Sequence, residues 1–266
     1  MSTLSAPPRE EAGASGLPRL PEALARWIGD AALTESSGRS GMRTLRVGGA
    51  RGAYLKIGPP GTLARAARMQ RWWADRGLSA PVAQYLSEDA DYLLIEAVPG
   101  RNGIAPEHLA QPVRLARALG EALRRLREID AADCPGDALA CDLEAAPGAT
   151  YAQERLDLLS PFIGPAAAAR ASAELAAGAQ ALRRDALVHG DACLPNLMLD
   201  DWRFSGFIDL GDAGRGDPHY DMAWSLWSLM YNLRRNEYGE AFLDAYGREA
   251  VDPARLRLCA LLVAME

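Results

Sequence analysis

Lysine is almost missing from this 266-residue sequence: 29 residues are basic, and every one except Lys56 is arginine. Histidine occurs three times and cysteine four times. The cysteines (Cys134, Cys141, Cys193, Cys259) are scattered and show no Cys-x-x-Cys spacing. That argues against a zinc or disulfide framework and makes a reducing cytoplasm the expected location. No apolar run reaches about 18 residues, so no transmembrane helix is expected. Net charge is −6, which argues against a broad nucleic-acid surface and favours cationic ligands. Residues 1–16 hold Pro7, Pro8, Glu10 and Glu11 and lack the apolar stretch of a secretion signal, so a short disordered tail is expected there. What remains, 49% apolar and 24% charged, is the composition of an ordinary globular chain long enough for one domain or two lobes.

The lone lysine has chemical meaning. An ammonium is a compact point donor, whereas a guanidinium is a wide planar fork. A lysine kept where arginine has taken every other basic position marks a site that the fork does not fit. Its surroundings agree. Residues 34–41 are rich in Ser and Gly and read as a loop, Thr44–Val47 as a strand, Gly48–Gly52 as a turn, and Ala53–Ile57 as a second strand carrying Lys56. A Ser/Gly loop whose amides cover phosphates, followed by a lysine that pairs with them, is the layout of a kinase nucleotide-binding lobe.

The densest chemistry runs from His189 to Gly214, HGDACLPNLMLDDWRFSGFIDLGDAG. Asp191 and Asn196 lie five positions apart, with Pro195 arguing against a regular helix between them. Two short apolar runs follow, Leu197–Leu199 and Arg203–Ile208, around the polar turn at Asp200–Asp201 and Trp202. They read as a β-hairpin that returns Asp209 to the side of Asn196 and Asp191. Two carboxylates and a carboxamide at one end of a hairpin make a hard-oxygen site suited to Mg²⁺. The order Asp, Asn five later, then Asp with Gly211 close behind is also that of a kinase active site. Asp and Asn favour plain turns as well; the joint spacing and the hairpin decide for function. Cys193 reads as a small buried thiol and Asp221 as a structural acceptor for loop amides. His108 and His219 read as single histidines without partners, Trp224 and Trp227 as helix core.

The rest sorts into two lobes. Residues 20–28 and 63–74 have helical spacing, and Val82–Leu86 and Tyr92–Val98 read as strands, the second stopped by Pro99–Gly100 as a hinge. Beyond it, residues 109–129, 166–182, 220–233, 238–246 and 253–265 read as helices. The expected fold is α+β and bilobal: a mainly β N-terminal lobe over 17–97 and a mainly helical C-terminal lobe over 98–266.

The strings HGDACLPN, RFSGFIDLG and YDMA, with EAVPG at Glu96–Gly100 and LREIDAADCP at Leu126–Pro135, resemble the aminoglycoside phosphotransferases, most of all the 3′-phosphotransferase branch. The resemblance implies a protein-kinase-like fold and transfer of the γ-phosphoryl of ATP to a hydroxyl of an aminoglycoside. It implies Asp191 as catalytic base, Asn196 and Asp209 as Mg²⁺ ligands, and Lys56 on the nucleotide phosphates. It places Ser40 in the nucleotide loop and the adenine edge against backbone near Glu96 and Val98. His189 would buttress the loop. On the acceptor side, Glu154, Asp157 and Glu266 are the candidate carboxylates. The implied partner is a small cationic molecule, with no nucleic acid or membrane, and the chain is expected as a monomer or weak dimer.

Three departures from the family pattern bear on these expectations. No acid stands between Lys56 and Asp75 to pair with the lysine, and Asp212 replaces an expected arginine. The acids expected near Met230–Asn232 and at the C-terminal tail are missing apart from Glu266. They motivate two alternatives: the same chemistry on another antibiotic or a hydroxylated metabolite, and a nucleotide-binding pseudokinase.

Overall fold

The structure, a computed structural model, describes residues 20–36, 42–49, 52–138 and 140–265. The expected tail over 1–16, Ser40 with its neighbours Gly38 and Arg39, and Glu266 lie outside the described residues. The chain divides into two compact units, one of residues up to Ala67 with Ala80–Ala97, the other of Arg68–Ser79 with Val98 onward.

The first unit is built on an antiparallel sheet. Its elements are helix α1 (Glu22–Ile28), strands β1 (Leu33–Ser36), β2 (Arg43–Val47) and β3 (Ala53–Gly58), the first turn of α2 (Ala64–Ala74), then β4 (Val82–Ser87) and β5 (Asp91–Glu96). The strand order is β1-β2-β3-β5-β4. Side chains alternate across β3: Ala53, Leu55 and Ile57 are buried, and Leu55 and Ile57 join Leu24 and Ile28 of α1 in one core. Lys56 points to the opposite face, beside its cross-strand neighbour Leu93, which packs with Leu63 and Ala67 at the start of α2.

Thr34–Ser36, expected in a loop, form a strand instead. Thr34 pairs with Arg46 and Ser36 with Thr44, and Arg43 donates to Glu35 across the hairpin at 2.7 Å. Ladder bonds and that ion pair outweigh the turn preference of the serine. Asp91, fully buried, accepts from the Leu63 amide at 2.8 Å and the Tyr85 hydroxyl at 3.1 Å, anchoring the entry to α2.

The second unit is helical around two small ladders. In chain order it holds β6 (Arg101–Asn102), α3 (Pro106–Leu109), α4 (Pro112–Arg127), α5 (Ala140–Ala145), α6 (Gln153–Ile163) and α7 (Ala168–Gly178). Then come β7 (Ala186–Val188), β8 (Leu197–Asp200), β9 (Arg203–Phe207), β10 (Gly214–Gly216), α8 (Pro218–Leu233), α9 (Asn236–Tyr246) and α10 (Pro253–Val263). Residues 68–79 belong here because Met69, Trp73 and Leu78 are buried in its core. Along α4, Leu115, Leu119, Leu123 and Leu126 form the buried stripe that helical spacing predicts. Gly120 lets α4 lie against α9: a Cβ there would come 2.5 Å from the Phe242 carbonyl oxygen. Helices α8 and α10 open with a proline in the first turn behind an aspartate cap, Asp217 accepting from His219 N at 3.0 Å and Asp252 from Ala254 N at 3.0 Å. Among the described residues no helix is long and apolar enough to cross a membrane.

Both histidines expected to lack partners have them. His219 is fully buried, its Nδ1 2.6 Å from Asp217 Oδ1 while its Nε2 accepts from the Asp252 amide at 2.8 Å. Those contacts fix the neutral tautomer with the proton on Nδ1. His108 is buried too, with Nδ1 2.7 Å from the Asn102 carbonyl and its ring edge against Trp202. The partners of His219 include a backbone amide 33 residues away, which spacing along the chain cannot reveal.

Candidate functional site

Two ladders frame the His189–Gly214 segment. β7 pairs antiparallel with β10, Val188 facing Gly214, so the chain leaves and re-enters at one place. Between them β8 and β9 form the expected hairpin, with Leu197 facing Phe207. The Ile208 amide then donates to the Asn196 carbonyl at 3.0 Å, which places Asp209 next to Asn196. Asp209 is exposed and has φ 63, a left-handed conformation that few side chains other than Asn and Asp tolerate. Gly190 has φ 86, and a Cβ on it would meet the Asp212 carbonyl oxygen at 2.4 Å. The loop bearing Asp191 therefore touches the turn that follows Asp209.

Within this frame Asn196 is the clamp. Its Nδ2 donates to the Asp191 carbonyl and to Asp191 Oδ2, both at 2.9 Å. Using the nitrogen end leaves the amide oxygen as the end that can face a cation. His189 is fully buried between Trp73 and Phe207; its Nε2 faces the Ile208 carbonyl at 2.8 Å and its Nδ1 accepts from the Asp191 amide at 3.2 Å. It thus joins the two halves of the segment through hydrogen bonds.

Helix α8 holds the loop from beneath. Asp221 accepts from the His189 and Gly190 amides at 2.6 and 2.9 Å, as a structural acceptor should. Burial pushes its carboxyl up to about 6, against the opposing pull of His189 and those amides. Ser225 Oγ donates to the Ala192 carbonyl at 2.8 Å, and Ser228 Oγ accepts from the Leu194 amide at 3.0 Å. Neither serine stands out in the sequence; their spacing from Asp221, four and seven residues on within an apolar helix, is the signal it carries. Cys193 is buried, and burial raises its thiol well above the ordinary range, so it stays protonated.

The remaining candidates stand on other elements. Lys56 stands on β3 of the first unit. Glu96 closes β5 and gives its amide to the Pro81 carbonyl at 3.1 Å, while Val98 is buried in the second unit. Glu154 and Asp157 are exposed on α6, where Asp157 accepts from Gln153 at 2.9 Å; neither is hydrogen-bonded to the Asp191 loop.

Among the described residues no group of three or more His, Cys, Asp or Glu could hold a metal ion. Mg²⁺ commonly takes one or two carboxylates and fills its shell with amide, water and phosphate oxygens. An exposed carboxylate, a clamped carboxylate and a carboxamide oxygen at one end of a hairpin can hold such a cation and orient a hydroxyl beside it.

A profile described as the phosphotransferase enzyme family matches residues 35–259. The chain is 36% identical over 245 residues to a probable aminoglycoside 3′-phosphotransferase of Lactococcus lactis subsp. lactis (strain IL1403), covering 90% of this chain and 92% of that protein. It is 34% identical to a streptomycin 3″-kinase of Streptomyces griseus, over 86% and 90% of the two chains. A crystal structure of an aminoglycoside-3′-phosphotransferase of type VIII superposes with a TM-score of 0.67 at 28% identity, covering 91% of this chain and 96% of that one.

Proposed function

The chain belongs to the phosphotransferase enzyme family, and from that premise we propose that it moves the γ-phosphoryl group of ATP to a hydroxyl of an aminoglycoside. The observation that carries the reading is the double hydrogen bond from Asn196 to Asp191, with Asp209 returned beside it by the hairpin. In this reading Asp191 accepts a hydrogen bond from the acceptor hydroxyl, aims its oxygen at the γ-phosphorus, and takes the proton as the new P–O bond forms and ADP leaves. Asn196 Oδ1 and the Asp209 carboxylate would hold Mg²⁺, which when bound neutralises phosphate charge. Lys56 supplies a compact cation to the phosphates from the first unit. Because the Glu96 amide is already given to Pro81, an adenine edge there would use carbonyl groups or the backbone nearer Val98.

Phosphoryl transfer asks chiefly for positioning and charge neutralisation, and these parts supply both. The protein would act in the cytoplasm on a small molecule, as a monomer or weak dimer, with no nucleic acid or membrane as partner. The names of the relatives support the aminoglycoside as acceptor. A second reading, transfer to another hydroxylated small molecule, draws support from the exposed end of α8, which carries Tyr231 and Asn232 where acids were expected.

Asp191→Ala tests the assignment. Phosphoryl transfer should vanish while nucleotide binding persists; unchanged turnover refutes the catalytic role. An ATP-consumption screen across aminoglycosides, other antibiotics and amino alcohols identifies the acceptor.

A further inference from the structure

Phe207 and Ile208, the two residues before Asp209, have all their main-chain polar groups committed. The Phe207 amide donates to the Leu78 carbonyl at 2.8 Å, and the Phe207 carbonyl accepts from Ser79 Oγ at 2.5 Å. The Ile208 amide donates to the Asn196 carbonyl at 3.0 Å, and His189 Nε2 lies 2.8 Å from the Ile208 carbonyl. The Ile208 contacts come from the Asp191 segment itself. The Phe207 contacts come from residues that follow α2 within the same compact unit. Gly206 lets them approach: a Cβ there would lie 3.2 Å from the Leu78 carbonyl oxygen and 3.3 Å from the Ser79 Cα.

The Ser79 hydroxyl is itself held. Gln70, only 3% exposed on α2, donates from Nε2 to Ser79 Oγ at 2.8 Å. A hydroxyl carries one proton, and Ser79 gives it to Phe207. Towards Gln70 it can then only accept, which requires the amide to present its NH₂ end. The relay runs one way, from Gln70 through Ser79 to the Phe207 carbonyl. Serine hydroxyls commonly bond backbone a few residues off, but this one reaches across 128 positions of the chain.

We propose that Gln70 and Ser79 are positioning residues for the cation: through the Phe207 carbonyl they fix the main chain from which Asp209 extends, and so the place of its carboxylate. This rests on the phosphoryl-transfer reading above, with Asp209 at the metal. Two observations support it. Asp209 keeps a left-handed φ of 63, a conformation that persists in a non-glycine residue where the surroundings over-determine it. Asp209 is also exposed, so it is the main chain before it, not a packed core, that sets its direction. A cation that demands near-octahedral oxygens at about 2.0–2.1 Å tolerates little tilt in that peptide.

The test follows ADP binding by calorimetry at a series of Mg²⁺ concentrations, with melting temperature measured in parallel. Ser79→Ala should raise the Mg²⁺ concentration for half-maximal binding about tenfold, the lower range for losing a partner that orients a metal ligand. ADP affinity without Mg²⁺ should stay at the wild-type value. Gln70→Glu keeps the shape but turns the donor into an acceptor that competes for the Ser79 proton, so it should act like Ser79→Ala. Gln70→Met, which only deletes the donor, covers the case in which a buried carboxylate unfolds the protein. Ser79→Thr keeps the hydroxyl and should restore the wild-type Mg²⁺ dependence. Lower melting temperatures with an unchanged Mg²⁺ dependence would limit the relay to folding and overturn this inference. Equal weakening with and without Mg²⁺, or a Ser79→Thr enzyme as impaired as Ser79→Ala, overturns it too. Wild-type protein that binds ADP identically at every Mg²⁺ concentration overturns the metal assignment, and this inference with it.

Discussion

Asn196 Nδ2 lies 2.9 Å from Asp191 Oδ2 and equally far from the Asp191 carbonyl, so one carboxamide fixes both the backbone and the side chain of the residue five positions earlier. Removing it frees the carboxylate and withdraws a cation oxygen in one step. Asn196→Ala should lower kcat by about 10²-fold, the range seen when one preorganised polar contact is deleted from a site. It should also raise the Mg²⁺ concentration needed for half-maximal rate. Initial rates against Mg²⁺ at saturating ATP check both; an unchanged metal dependence removes Asn196 from the metal site.

Asp221 gives activity and stability opposite responses to acid. Its carboxylate accepts two loop amides, so activity should fall as pH drops through about 6 and the group protonates. For stability the sign is reversed from the usual aspartate. The folded value lies above the ordinary 3.8, so between the two the folded state binds the proton more readily than the unfolded state. Lowering pH across that window adds stability from this group, at most about 1.4 kcal/mol per unit. Measured together, kcat should fall from pH 7 to 5 while the Asp221 contribution to the unfolding free energy, read as the difference between the wild type and Asp221→Asn, rises; Asp221→Asn should also remove the acidic activity limb together with most of the activity.

Gly190 tests the contact between loop and turn. With φ 86 and a would-be Cβ 2.4 Å from the Asp212 oxygen, Gly190→Ala meets both strain and a backbone clash. A loss of about 2 kcal/mol or more is expected, with activity lost as well. Gly77→Ala is the comparison: φ 67 but nothing within 4 Å, so strain alone, about 1 kcal/mol. Denaturant unfolding of the two variants separates clash from strain.

Ser228→Ala leaves the buried Leu194 amide without its acceptor at 3.0 Å. The cost should be about 1–3 kcal/mol. Because the amide lies in the loop between Asp191 and Asn196, kcat should fall while the KM for ATP holds. A Ser228→Ala enzyme with full kcat and reduced stability would limit the serine to a folding role.

What the sequence made legible was local. The hairpin from Leu197 to Phe207 shows a period of two around a polar turn, and the α4 leucines a helical period, so both can be read from a few adjacent residues. Even there the turn hid its handedness: Asp201 and Trp202 both have positive φ, without the glycine that normally announces it. The three-residue pairing of β7 with β10 joins residues 26 to 30 apart and has no repeat to betray it. The loop-holding serines of α8 looked like ordinary helix residues because their partners, Ala192 and Leu194, come from another element. Asp217, which takes bonds from Arg183, His219 and Arg255, is likewise invisible until the chain is folded.

The close seating of α4 on α9 at Gly120 has a consequence for synthesis. A ribosome finishes residues 112–127 well before residues 236–246 exist, so the leucine stripe of α4 emerges without its cover. Pairings so distant along the chain close late and leave apolar surface open to wrong neighbours meanwhile. Slowing translation upstream of α9, or titrating away a holdase chaperone, should therefore lower the soluble yield of this protein, and polar substitutions on the exposed side of α4 should not rescue it.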